Sequence, residues 1–204
     1  MADIEWQRAL APGYYPLDDS QIAAIVTFLE MAQPASPRGT ASGLAFNRFG
    51  PADAAAYRAL YRTVGEQWGW FSRLAWSDEA LAAHFAQEGV AAYCVRDDKG
   101  IAGLVELDSR AGDETELAFF GVIPERIGTG IAASMMDFAI KAAFARPITR
   151  FFVHTCTLDH PGALRFYERS GFRAYRRAVE ITTDPRVAGL LPGNAFPHFP
   201  RLER

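Results

Sequence analysis

A strand-like run, TELAFFGVI at residues 115–123, stops at Pro124, passes through Gly128 and Gly130, and enters an apolar stretch of helical period beginning IAASMM. A strand that turns on glycine into a helix belongs to layered α/β architectures. Such a turn leaves the first N–H groups of the helix without intrahelical acceptors, a natural site for a phosphate. An ATP-type phosphate loop needs a lysine and a Ser or Thr after its last glycine. Here Gly130 is followed by Ile131 and Ala132, and no lysine comes before Lys141. Gly128-x-Gly130-x-x-Ala133 matches a dinucleotide fingerprint literally. In that motif, however, the glycines follow the strand almost directly, and an acidic residue ends the next strand. Four residues, Pro124 to Ile127, intervene here, and the next strand ends RFFVHTC.

The rest of the chain predicts a mixed α/β sheet. From residue 44 the periodicities read β-α-α-β-β-β-α-β-α-β. LAFNRF alternates as a strand, and a helix follows with Pro51 in its first turn. SDEALAAHFAQ opens on a serine cap. VAAYCVRDDKGIAGLVELD reads as a hairpin turning at Asp-Lys-Gly. The helix after the glycine turn spans about residues 131–144, with Ile131, Met135, Phe138 and Phe144 along one face. ITRFFVHTC is a strand, HPGALRFYERSGF a short helix closed by Gly171, and FRAYRRAVEIT a last strand. Residues 1–20 are irregular. IAAIVTFLEM (22–31) is read as a strand on its β-branched residues, although Asp18-Asp19-Ser20 would equally cap a helix. AQPASPRGTASG (32–43) has linker composition. The expected division is therefore an N-terminal arm and linker with an extra strand (1–43), a main domain (44–182) and a proline-rich tail (183–204).

Two linked motifs carry a family resemblance. FFGVIPERIGTGIAASMM resembles the acyl-coenzyme-A loop of the GCN5-related N-acetyltransferase (GNAT) superfamily: a strand ending Val-x-Pro, then Arg/Gln-x-x-Gly-x-Gly/Ala opening a helix. Ile127 stands where Arg or Gln is usual, with Arg126 adjacent, and Gly130 and Ala132 take the two small positions. One strand later, HPGALRFYERSGF is similar to the superfamily's Asn-x-x-Ala-x-x-x-Tyr-x-x-x-Gly-Phe helix. Ala163, Tyr167, Gly171 and Phe172 agree, and His160 replaces the asparagine. The resemblance covers about residues 44–180. It implies a GNAT acyl-CoA acyltransferase fold, a central twisted mixed sheet flanked by helices, with acetyl-CoA as co-substrate and no metal. Superfamily members usually end with two strands after the tyrosine helix, and only one convincing strand follows Phe172. The 22–31 strand could fill that gap, within the chain or across to a second subunit in a homodimer.

The same resemblance assigns expected roles. Gly128, Thr129, Gly130, Ile131 and Ala132, with Arg126 and Ile127, would hold the pyrophosphate, chiefly through main-chain N–H groups. Phe120 and Val122 would offer main-chain groups to the pantetheine arm. Acyl transfer to an amine requires a proton acceptor for the amine, a donor for the oxyanion and a proton for the departing thiolate. Glu116, four residues before Phe120, stands where the histone-acetylating branch has its catalytic glutamate; alternatively it is a solvated residue at the start of a strand. Tyr167 would point its hydroxyl at the thioester sulfur, or be one more core aromatic beside Leu164, Phe166 and Phe172. His154, Cys156, Asp159 and His160 cluster at a strand end without metal-ligand spacing. Asp159 or His160 is expected to cap the next helix, and His154 either lines the acceptor pocket or ends the strand. Cys156 beside His154 has the makings of a nucleophile, although direct transfer is the superfamily's habit. EQWGWFSRLAW (66–76) falls where the family binds its acceptor, so Trp68, Trp70 and Trp76 form an aromatic pocket for an amine, or an irregular loop packed on the core.

Composition narrows the partners. The chain has 204 residues, a net charge of −3 and no Lys/Arg run longer than two, which argues against a nucleic-acid face. No apolar run approaches the ~20 residues needed to cross a bilayer. No basic n-region precedes an apolar stretch, and the two cysteines, Cys94 and Cys156, read as reduced thiols, so the expected setting is cytoplasmic. The expected reaction is transfer of an acetyl group from acetyl-CoA to a small-molecule amine; the rival is an acyl-CoA-binding or regulatory protein that keeps the fold without turnover.

Overall fold

A computed structural model describes residues 9–201. The irregular start expected for residues 1–8 and the end of the tail at 202–204 lie outside the described residues. The elements are β1 (Gln21–Met31), β2 (Ala45–Arg48), α1 (Ala54–Gly65), α2 (Asp78–Phe85), β3 (Val90–Asp97), β4 (Gly100–Asp108), β5 (Glu114–Val122), α3 (Ile131–Ala143), β6 (Arg150–Cys156), α4 (Ala163–Arg169) and β7 (Arg173–Thr183). From residue 44 their order is the one the periodicities predict. Pro51 falls in a 3₁₀ turn, Pro51–Asp53, that leads into α1 rather than in α1 itself.

One seven-stranded sheet runs β2-β3-β4-β5-β6-β1-β7. It is mixed because β5 and β6 are parallel while every other neighbouring pair is antiparallel. The gap left by a single strand after the tyrosine helix is filled from within the chain: β1 lies between β6 and β7 and bonds both. Its buried side chains explain why a strand forms despite the Asp-Asp-Ser sequence before it. Ile22, Ala24, Val26 and Phe28 alternate onto one buried face, and Leu29 and Met31 enter the core beneath α3 and α4. Asp18 instead closes a turn, accepting from the Ser20 N–H and hydroxyl.

Helices α3 and α4 cover one sheet face over a core containing Met135, Ala139, Phe151 and Phe172. Helices α1 and α2 cover the other, over Tyr57, Tyr61, Leu81 and Leu104. The proline-bearing tail is irregular but packed. Leu191, Ala195 and Phe196 bury against Ile22, Ala24 and Leu158, and the Arg186 guanidinium sits 4.0 Å from the Phe196 ring centre while pairing with Asp184 at 2.8 Å. The segment expected to be a linker is tied down too. Its Arg38 and Gly39 N–H groups bond Asp137 of α3, and its Ala41 N–H bonds Ser134 Oγ at 3.0 Å.

If β1 belongs to the folding core, Leu29→Ala, which empties a fully buried site, costs about 2–5 kcal/mol in urea unfolding. A loss below about 1 kcal/mol would mean that the sheet folds without it.

Candidate active site

The site is organised by a parting of strands. β5 and β6 pair only at Glu114–Arg150, Thr115–Phe151 and Glu116–Phe152. Beyond Glu116 they separate, although β5 stays bonded to β4 as far as Val122 and β6 to β1 as far as Cys156. A bulge lies just past the separation: Phe119 faces Glu106 and Leu117 faces Leu107, leaving Ala118 without a partner. A bulge adds local twist and bend to its strand, here where β5 leaves β6. Phe166 and Tyr167 of α4 occupy the wedge, with Phe166 stacked on Phe120 at 5.5 Å. The resulting cavity has a volume of about 1060 Å³.

At one end of it lies the glycine turn. Gly128 and Gly130 adopt φ of 80° and 85°, the left-handed conformation that glycine allows without strain. A Cβ on either would meet nothing within 4 Å, so the turn is open to the cleft. Ile127 and Thr129 direct their N–H groups to the Pro124 and Arg126 carbonyls, and Ala133 bonds back to Gly130. The N–H groups of Ile131 and Ala132, at the start of α3, have no intrahelical acceptor. This geometry suits a pyrophosphate, with main-chain donors and a helix N-terminus facing one wall. Ile127 is 41% exposed and supplies no polar group. The side-chain help expected of Arg126 meets a competitor: its Nη2 is 2.8 Å from Asp97 Oδ1, so part of its charge is already balanced.

Midway, Tyr167 is buried and lines the cavity, surrounded by Phe120, Phe166 and Phe172. It is both core aromatic and cavity wall. Its hydroxyl hydrogen-bonds no group among the described residues. Burial, followed by the charge of Asp159, pushes its pKa far above the ordinary tyrosine value, so it stays a proton donor. Glu116 and His154 meet across the mouth of the parting, Oε1 to Nδ1 at 3.3 Å. Glu116 is thus paired with His154 rather than solvated at a strand start. Burial disfavours charge on the imidazole, but the Glu116 hydrogen bond and charge, with Asp159 and Glu180 farther off, outweigh it and raise the His154 pKa.

At the other end, residues 66–76 form two 3₁₀ turns, and Trp68, Trp70 and Trp76 all line the cavity. They are also packed, so pocket and core-facing loop are the same object. Trp70 Nε1 donates to Asp159 Oδ1 at 3.1 Å. Trp68 lies edge-on to His160, 5.1 Å between ring centres, and 5.7 Å from His198 of the tail. Trp76 takes the Arg73 guanidinium on its face at 4.2 Å. Asp159 does not cap α4. Its Oδ2 turns back to accept from Thr155 Oγ1 and the Cys156 N–H, fastening the end of β6 to the tryptophan loop. His160 is not the N-cap either; its Nδ1 accepts from the N–H of Gly162, the residue that holds that position. Cys156 has no activated thiol, because burial and Asp159 push its pKa up to about 11. Among the described residues, no group of three or more His, Cys, Asp or Glu side chains is placed to hold a metal ion. Nor is any helix there long and apolar enough to cross a membrane.

Glu106 was not among the residues expected at the site, yet it anchors the loop. Fully buried, it accepts from Arg73 Nη2 at 2.6 Å and from the Tyr57 hydroxyl, and its Oε1 lies 3.1 Å from His84 Nε2. Burial opposes its ionisation, but bonds from His84, Arg73 and Tyr57 hold its pKa below the usual value. The signal was present: a lone acid within the run Ala102–Leu107, where every other side chain is apolar or absent. A buried acid in such a run needs partners.

The model of the Acetyltransferase (GNAT) family matches residues 57–172, more than half of the chain, and the chain belongs to that family of acetyltransferases. Solved structures of similar fold include a protein assigned as an acetyltransferase of the GNAT family from Novosphingobium aromaticivorans (22% identity over 80% of this chain and 66% of that one, TM-score 0.55). Another is a GCN5-related N-acetyltransferase from Sphaerobacter thermophilus (17% identity, 79% of this chain and 52% of that one, TM-score 0.59). A third is the spermidine/spermine N-acetyltransferase SpeG from Vibrio cholerae (18% identity, 72% of this chain and 96% of that one, TM-score 0.50). At these identities the likeness is one of fold. The first two are longer proteins, of which the match spans 66% and 52%. No curated protein matches the chain.

The His154–Glu116 contact makes a spectroscopic prediction. A histidine whose pKa is raised contributes stability fully below its unfolded value, near 6.5, and loses that contribution as pH rises through the higher folded value. The His154 imidazole followed by NMR therefore titrates above 6.5. Glu116→Gln, which removes the charge and leaves the burial, moves the midpoint down. An unmoved midpoint would separate the two residues.

Proposed function

We propose that this chain transfers an acetyl group from acetyl-CoA to the amine of a small molecule by direct attack on the thioester. The observation that carries this reading is the Tyr167 hydroxyl, without a hydrogen-bond partner among the described residues, in a cavity it shares with the open glycine turn and the Glu116–His154 pair. Acetyl-CoA would supply an activated acyl group as a thioester. The residues of the glycine turn and the first turn of α3 would hold its pyrophosphate by main-chain N–H groups. The unzipped edge of β5 at Phe120 and Val122 would take the pantetheine arm as a sheet takes a strand. Tyr167, protonated at any physiological pH, would place a hydrogen-bond donor at the sulfur and deliver a proton to the departing thiolate. Neutral His154, oriented by Glu116, would accept the ammonium proton directly or through water, while Trp68, Trp70 and Trp76 enclose the acceptor. A histidine base gives a rate that climbs with pH through the His154 titration. The acidic side chains at that end of the cavity, Glu116, Asp159 and Glu180, favour an acceptor that arrives as a cation.

Thiol release from acetyl-CoA, measured across a panel of small amines, tests the reading. Saturable release with at least one amine supports it, whereas CoA binding without release across the panel points to a binding protein of the same fold. With an active amine in hand, Tyr167→Phe lowers kcat at least about tenfold with little change in CoA affinity, the pattern of an interaction made in the transition state. Unchanged turnover would remove Tyr167 from the proton path.

A further inference from the structure

The segment joining β1 to β2 lies outside residues 57–172, the part matched to the family. It nevertheless forms part of the cavity wall through Ser36 and Arg38. It is a built feature rather than a loose connection. The main-chain N–H groups of Arg38 and Gly39 converge on the Asp137 carboxylate, the second at 2.6 Å, and Ala41 follows on Ser134. At Gly39 a Cβ would come within 2.4 Å of the Ser134 backbone, so the strap lies on α3 as closely as only glycine permits. From that anchor the Arg38 side chain reaches across to α4, where Nη1 donates to the Arg169 carbonyl. The strap thus bridges the two helices that frame the phosphate end of the cavity.

The charge pattern there is distinctive. Arg38 and Arg169 both line the cavity, and neither guanidinium is paired with a carboxylate among the described residues. Arg38 spends one donor on a neutral carbonyl, and a guanidinium carries five. The acid on that wall, Asp137, turns its oxygens to the two strap N–H groups. Both side chains are exposed, and two cations free of carboxylate partners on the wall of the cavity that also holds the glycine turn, on a chain of net charge −3, offer a contact for a second anionic group on the same ligand. Asp137 lies six residues along α3 from Ile131, about 9 Å at the helical rise. That is the scale of a phosphate set one ribose away from a diphosphate.

We propose that the strap is a recognition element for the 3′-phosphate of the coenzyme, with Arg38 as its principal ligand and Arg169 as its second cation. The inference rests on the acyl-CoA reading and adds a discrimination between 3′-phosphorylated and unphosphorylated adenosine diphosphate carriers. Arginine suits the task because its planar fork can grip two oxygens of a phosphate monoester at once.

Calorimetric titration of the full chain with CoA and with 3′-dephospho-CoA tests it. CoA binds at least about tenfold more tightly than dephospho-CoA, the size of one or two charge-assisted hydrogen bonds. Arg38→Gln abolishes most of that difference by weakening CoA alone, and Arg38→Lys keeps part of it. The strap is held by main-chain groups, so these variants leave it in place; an unchanged melting temperature verifies this. Should that temperature fall, Arg169→Gln provides the same comparison from the other helix. Equal binding of the two ligands by the wild-type chain, or equal weakening of both by Arg38→Gln, would overturn the inference and leave the acyl-CoA reading standing. Failure of both ligands to bind would instead defeat that reading, and this inference with it.

Discussion

The cleft at the heart of the site follows from two parallel strands that stop bonding to each other. After Glu116 the β5–β6 ladder ends, yet each strand keeps its outer neighbour, so the gap is held open from both sides instead of collapsing. Unpaired strand edges inside a sheet are costly unless something occupies them. The aromatic wedge of Phe120, Phe166 and Tyr167 fills part of the opening. What stays open is bordered by main chain on both sides, a cleft suited to an extended, amide-bearing ligand. The glycine turn that follows β5 places a helix N-terminus at the mouth of the same cleft. One topological fact therefore places an open main-chain slot and a free helix N-terminus in the same cleft.

The tryptophan end of the cavity depends on a different device, a short irregular loop held by buried charge. Residues 66–76 contain only two short 3₁₀ turns, and no α-helix or strand that could fix the tryptophans. Glu106 from β4 instead fixes Arg73, Arg73 lies against Trp76 and Phe119, and Asp159 fixes Trp70. Breaking a buried ion pair by deleting one partner is strongly destabilising, because the remaining charge stays buried without its partner. That cost makes the arrangement all-or-none, which gives an irregular loop a defined shape. The tail adds a second clamp through His198, which bonds the Leu158 carbonyl at 3.0 Å and lies against Trp68.

Much of this was legible in the residues, and the boundary is physical. Strands, helices and the glycine turn are local: their periodicities and breakers lie within a few residues, so the order from 44 onward could be read directly. The pairing of β1 with β6 and β7 is non-local. The β-branched residues of 22–31 favoured a strand, and the missing last strand offered it a place, but whether it would insert within the chain or in a second subunit was not local information. Glu116 was singled out by its place four residues before Phe120 and His154 by its place at a strand end, whereas their 3.3 Å contact follows from where the parallel ladder ends. Arg126 was expected to serve the phosphate on proximity in sequence, but Asp97, from the far end of β3, already holds it. Asp159 and His160 looked like helix caps because short polar residues before a helix usually are; tertiary partners at Trp70 and Thr155 claimed the aspartate instead. Proline content hid the packing of the tail, since it excludes regular hydrogen bonding without excluding burial.

The N-terminal segment joins these two ends into one object. Within about twenty residues it contributes Ile22 and Ala24, from β1, to the tryptophan end of the cavity and Ser36 and Arg38, from the strap that follows, to the end near α3, and β1 itself is bonded on both sides. A strand so held cannot move at one end without disturbing its register along the sheet. The strand that completes the sheet thereby also links the two halves of the site.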